Sequence, residues 1–136
     1  MIRQLARDRV MGEKRVLIVD DALIMRKRIR QIAEEAGWQV AGEAKDGEEA
    51  LVLYEREKPD LVTMDIVMPK MDGVSALQQL IQDDPHARVV MVSAVNQKEK
   101  LAQCIQAGAI DFIVKPFEKA RLRGFFEKYL TVERHQ

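Results

Sequence analysis

The chain is poor in the residues that metal, redox and membrane chemistry draw on: it has one cysteine, Cys104, and two histidines, His86 and His135. A single thiol excludes an internal disulfide and any cysteine-rich metal site. Two histidines, one in a turn and one in the tail, give zinc or copper nothing to bind. Cys104 falls inside a helical pattern, where a small buried hydrophobe is the plain reading. No apolar run reaches the ~20 residues that span a bilayer, and no segment is laid out as a secretory signal. Neither sign of charge prevails, since Lys plus Arg and Asp plus Glu both number 22. No overall field therefore draws the chain to nucleic acid or to a membrane, and neither is expected as a partner. The expected location is cytoplasmic.

What is present is an ordinary globular composition, 47% hydrophobic and 32% charged over 136 residues. That suits one domain with a proper core. Residues 1–13 are polar and basic, with Arg3, Arg7 and Arg9. They read as an N-terminal extension, either a frayed terminus or a short amphipathic arm. Met11-Gly12 could equally be the natural start, and the Ser or Thr that myristoylation of Gly12 requires is missing. The domain is expected over 14–130, followed by a loose tail at 131–136.

From Arg15 onward, apolar runs of strand length alternate with helical patterns. Arg15-Val16-Leu17-Ile18-Val19 is almost continuously apolar, as a strand buried on both faces should be. Asp21 through Ala36 places Leu23, Ile24, Ile29, Ile32 and Ala33 near a 3.6 period, closed by Gly37. A second, edge-prone strand is expected over Trp38–Ala44. A helix then opens at Asp46-Gly47-Glu48-Glu49, with acids toward the positive end of its dipole. Leu61–Asp65 is the central strand. Further helices are expected from Gly73 to about Gln82, over Asn96–Ala107 and over Glu118–Leu130, with strands at Arg88–Val92 and Asp111–Val114. Five βα units predict an α/β fold, a doubly wound five-stranded parallel sheet with five helices, flavodoxin-like in plan.

Such a sheet binds ligands just outside the carboxyl ends of its strands. The first run stops at Asp20-Asp21, the central one at Asp65, the fourth at Ser93 and the last at Lys115-Pro116. Three acids that meet repel one another unless a cation sits among them. Oxygen-only donors suit Mg²⁺. Metal, ammonium and hydroxyl would together surround a phosphoryl group carried on an Asp65 oxygen. Each residue also has a plainer reading: Asp20-Asp21 as helix caps, Lys115 as a loop lysine, Ser93 as a cap. All of them falling at the ends of strands in one sheet is harder to explain that way.

The ordered set VLIVDD (16–21), AGEAKDGEEAL (41–51), TMDIVMPKMDG (63–73), VSA (92–94) and FIVKPF (112–117) resembles the receiver domain of two-component response regulators. It is most similar to the stand-alone chemotaxis type, the CheY-like proteins, over about Lys14 to Leu130. The resemblance implies a signalling module and not an enzyme, acting only in its own phosphotransfer and autodephosphorylation. Asp65 matches the phosphorylated aspartate. Asp21, Asp65 and the main-chain carbonyl of Val67 match the Mg²⁺ ligands, with Asp20 acting mainly through water and Mn²⁺ able to substitute. Ser93, Ala94 and Lys115 match the switch and phosphoryl contacts, and Phe112 the aromatic switch position. Phe112 lacks the hydroxyl of Tyr-bearing relatives. The Lys115–Pro116 bond is expected to be cis, because the lysine must turn back into the acidic pocket. Val67 and Val95 match the positions flanking the hydrolytic water, where neither can aim it.

The implied partners are a histidine kinase as phosphoryl donor, a phosphatase that resets the protein, and an output protein. The output surface is expected over Asn96–Ala107, the strand through Phe112, and Glu118–Leu130. Its partner could be a flagellar motor switch protein, or the chain could serve a phosphorelay or belong to a truncated transcriptional regulator. Two rivals fit worse. An aspartate-nucleophile phosphatase of the haloacid dehalogenase type needs a second acid where Val67 stands. A flavodoxin-like cofactor binder needs a hydroxyl- and glycine-rich loop where Asp20-Asp21-Ala22 stands.

Overall fold

The computed structural model describes residues 13–94 and 96–131. The expected extension (except for Glu13), Val95 and nearly all of the expected tail lie outside the described residues. Five strands form one parallel sheet: β1 (Arg15–Val19), β2 (Gln39–Ala44), β3 (Leu61–Asp65), β4 (Val89–Ala94) and β5 (Asp111–Lys115). Their order is β2-β1-β3-β4-β5. The helices between and after them are α1 (Leu23–Glu35), α2 (Gly47–Glu57), α3 (Gly73–Asp83), α4 (Lys98–Ala107) and α5 (Lys119–Leu130). This is the doubly wound sheet that the alternating pattern predicts. None of the helices is long and apolar enough to cross a membrane.

The strands are apolar on both faces because each face carries a helical layer. Leu17, Val19, Val62, Met64, Val89 and Met91 pack under α2, α3 and α4, and Cys104 is buried with them. Burial pushes the Cys104 thiol up to about 11, so it is a core group and not a nucleophile. On the other face, Val16, Ile18, Leu61, Val90, Val92 and Ile113 lie against Ile29 and Ile32 of α1 and Leu122 and Phe126 of α5. Trp38 locks that layer. Its ring lies 5.8 Å from that of Phe126, and its Nε1 donates to the Phe126 carbonyl at 2.7 Å.

Local chemistry sets where helices begin and end. Asp46 caps α2 by accepting from Glu49 N at 2.9 Å, and Asp72 caps α3 by accepting from Ser75 N at 3.0 Å. Gly37 and Gly108 follow α1 and α4 with φ of +97° and +118°, a conformation that a Cβ disfavours. α1 starts at Leu23, two residues later than expected. The Asp20 carboxylate accepts from Ala22 N at 2.9 Å, which holds residues 20–22 in a turn at the end of the strand. Likewise α4 starts at Lys98 and not at Asn96, because the Gln97 N–H donates back to the Ala94 carbonyl at 3.2 Å and closes a turn ahead of the helix.

Candidate functional site

The strand order places β1, β3 and β4 side by side, and the carboxyl ends of β1 and β3 carry the acids. Asp20 follows β1, and Asp65 closes β3. Asp20, Asp21 and Asp65 each present an oxygen within 4.8 Å of the other two. Asp20 and Asp65 are buried, whereas Asp21 is exposed. Burial of two such groups side by side needs partners, and β5 supplies one. Lys115, its last residue, donates from Nζ to Asp20 Oδ2 at 2.9 Å and lies 3.5 Å from Asp65 Oδ2. Asp65 Oδ1 accepts from the main-chain N–H of Ile66 at 2.9 Å. Arg26 steadies the other side, giving one hydrogen bond to the Asp20 carbonyl at 2.8 Å and pairing with Glu43 at 3.0 Å.

These partners do not balance the charge. Burial pushes the Asp65 carboxyl up to about 6, Lys115 pulls it down, and the charges of Asp20 and Asp21 push it up again. Burial also works against the Lys115 ammonium, but the Asp20 hydrogen bond and the Asp65 charge outweigh it and hold the group above its ordinary value. Three carboxylates and one ammonium leave a negative pocket of oxygen donors. That donor set fits a hard divalent cation and no softer metal.

The other expected residues fall around this pocket. Ser93, buried, is the penultimate residue of β4 and donates from Oγ to the Ala94 carbonyl at 3.1 Å. Val67 is 47% exposed in the loop after β3. Gly73 brings the start of α3 back against that loop, its N–H donating to Ile66 O at 2.6 Å. Phe112 is exposed on β5, two strands across the sheet from Asp65. The Lys115–Pro116 bond is cis. Two residues were not anticipated. Arg26 braces Asp20 from within α1, and Gln97 accepts from the Ala94 N–H at 2.8 Å through its side-chain oxygen. Gln97 carries a sequence signal in retrospect, because glutamine is an unusual residue just ahead of a helix.

The model of the response regulator receiver domain family matches residues 16–127. The chain belongs to that family. This receiver domain is 50% identical over 109 residues to a chemotaxis protein CheY of Thermotoga maritima, a match covering 80% of the chain and 91% of the relative. It is 48% identical over 117 residues to CheY of Bacillus subtilis, covering 86% and 98%. Its backbone superposes on a CheY in a complex of CheX, CheY, BeF3 and Mg²⁺ from Borrelia burgdorferi, with a TM-score of 0.81 and 38% identity over 88% of this chain and 90% of that one. Receiver domains of this kind are signalling proteins and not classical enzymes.

Proposed function

We propose that this receiver domain takes a phosphoryl group onto Asp65 from the phosphohistidine of a histidine kinase and signals in chemotaxis. The observation that carries this is the convergence of Asp20, Asp21, Asp65 and Lys115 in one pocket. Asp65 Oδ2 is the nucleophile, because Oδ1 already accepts from Ile66 N. The oxygen bonds to phosphorus while the P–N bond to the kinase imidazole breaks, and the imidazole takes up a proton. Asp21, Asp65 and the Val67 carbonyl would hold the cation, with Asp20 acting mainly through water. A divalent cation bound there would neutralise the acids and the incoming phosphoryl oxygens, the charge left uncompensated in this pocket. Lys115 then turns from Asp20 toward a phosphoryl oxygen, and Ser93 turns its hydroxyl from the Ala94 carbonyl toward another.

Output is assigned to the face of α4, β5 and α5. There Ile105, Ile110 and Phe112 expose apolar surface without an internal partner layer. A flagellar motor switch protein is the proposed partner, with a separate phosphatase resetting the signal. Both named relatives are chemotaxis proteins, which favours this output.

The test is labelling with acetyl phosphate and Mg²⁺, followed by mapping of the modified residue. One phosphoryl group is expected, on Asp65, lost in Asp65→Asn, in Asp21→Ala and with chelator. Labelling that survives chelation, or that maps to another side chain, overturns the assignment.

A further inference from the structure

Gln97 holds a main-chain donor at the end of β4, its side-chain oxygen accepting from the Ala94 N–H. Main-chain groups of successive strand residues point to opposite sides of the strand. The Arg88 carbonyl accepts from Val62 N of β3, and the Val89 carbonyl accepts from Ile110 N on the β5 side. The same alternation puts the N–H groups of Val90, Val92 and Ala94 on the β3 side. Asp65 is level with Val92 in the register, and β3 ends there. The carbonyl of Ile66, next in line, accepts from Gly73 N and leaves the ladder. The Ala94 N–H therefore points over the end of β3, on the side where Asp65 lies. It is a donor aimed into the pocket with no strand to receive it.

Gln97 receives it instead. The residue stands just ahead of α4, where a side chain usually caps the helix by bonding forward to its first N–H groups. Gln97 makes no such cap. Its side chain turns back, and its Oε1 accepts from Ala94 N at 2.8 Å. A turn from Gln97 N to the Ala94 carbonyl at 3.2 Å reinforces the loop. Beside it lies a cleft of about 470 Å³ lined by Val67, Asn96, Lys98, Glu99 and Lys100 along with Gln97 itself, roomy enough to take the amide when it lets go.

We propose that Gln97 is an internal latch that competes with a phosphoryl group on Asp65 for the Ala94 N–H and so holds the β4–α4 loop in its resting form. The proposal rests on the phosphoacceptor reading of Asp65. Gln97 is a positioning residue, acting through the Ala94 main chain. Every phosphoryl group that uses the Ala94 donor first displaces the glutamine oxygen, so the latch weakens phosphoryl binding by about the worth of one hydrogen bond.

The experiment titrates beryllofluoride with Mg²⁺ into wild type, Gln97→Met, Gln97→Asn and Gln97→Glu, following the Ala94 amide by NMR. Met keeps the length without an acceptor, and Asn is one methylene too short to reach. Both should bind beryllofluoride about fivefold tighter than wild type, the factor for one net hydrogen bond. Their Ala94 amide proton should move upfield before any ligand is added. Glu offers a charged acceptor and should bind several-fold more weakly than wild type. A side chain that merely supports the loop would lower the melting temperature in Met and Asn without tightening the ligand. Equal affinities in wild type, Met and Asn refute the latch and leave the phosphoacceptor reading standing. No beryllofluoride binding in any of the four proteins refutes the phosphoacceptor reading, and the latch falls with it.

Discussion

Without a cation, the acid pocket should make the folded protein less stable as pH rises from 4 to 7, and Asp65→Asn should remove that loss. The ordinary Asp65 value is 3.8, and the fold pushes it up to about 6 by burial and by the neighbouring Asp20 and Asp21. Below pH ~4 the group is protonated whether folded or not, and it contributes no difference. Between ~4 and ~6 the unfolded chain releases the proton while the folded one retains it. Stability falls over that window and levels off above it. A rise of about two units corresponds to ~3 kcal/mol. Asparagine keeps the shape and cannot ionise. Asp65→Asn should therefore gain up to ~3 kcal/mol at pH 8 and almost nothing at pH 4. Urea unfolding at pH 4, 6 and 8 in chelator measures this through the midpoint, with m unchanged. Added Mg²⁺ should narrow the gap by stabilising the wild type. Parallel pH dependences for the two proteins between 4 and 7 would refute the argument, as would an advantage that is larger at pH 4.

Two further outcomes bear on the loop around Asp65. A Cβ at Gly73 would overlap the Asp65 carbonyl oxygen, whereas one at Gly124 meets nothing within 4 Å. Gly73→Ala should cost at least ~1–3 kcal/mol in urea unfolding and impair phosphorylation, while Gly124→Ala should stabilise by up to ~1 kcal/mol; matching effects would show that the close approach is not felt. The phosphorylated form should decay slowly, because Val67 and Val95 offer a water no hydrogen bond. Val67→Asn combined with Val95→Glu should speed the loss of phosphoaspartate about tenfold, the effect of ~1.4 kcal/mol at the transition state, and equal half-lives would remove these positions from the clock.

The parts of this molecule that could be read from sequence are those written in runs. Leu61–Asp65 is buried throughout, and a mostly apolar run of five residues ending on an acid leaves little choice of reading. The acids at 20, 21 and 65 were legible because strand ends in a parallel sheet share one edge. The order of the strands and the pairing within the pocket were not, since apolar strands of similar composition do not encode their neighbours. Lys115 could be placed near the acids, but its closer approach to Asp20 than to Asp65 depends on a backbone path that only the fold fixes. The late start of α1 follows from one carboxylate bonding two residues ahead, which competes with the helix on equal terms. Gln97 escaped notice because its side chain bonds backward, against the usual habit of residues at that position.

The division of the core between two faces also has a consequence for the order in which the chain is made. The layer of α2, α3 and α4 draws its buried residues from no further along than Ala109. The opposite layer, with α1 and Trp38, stays open until Leu122, Phe126 and Tyr129 arrive. A ribosome adding ~5–20 residues per second would release one finished face well before the other. During that interval Leu61, Val90 and Val92 lie on a side of the sheet that α1 and Trp38 cover only in part. The last helix to be synthesised is thus the one that completes the cover α1 begins over this side of the sheet.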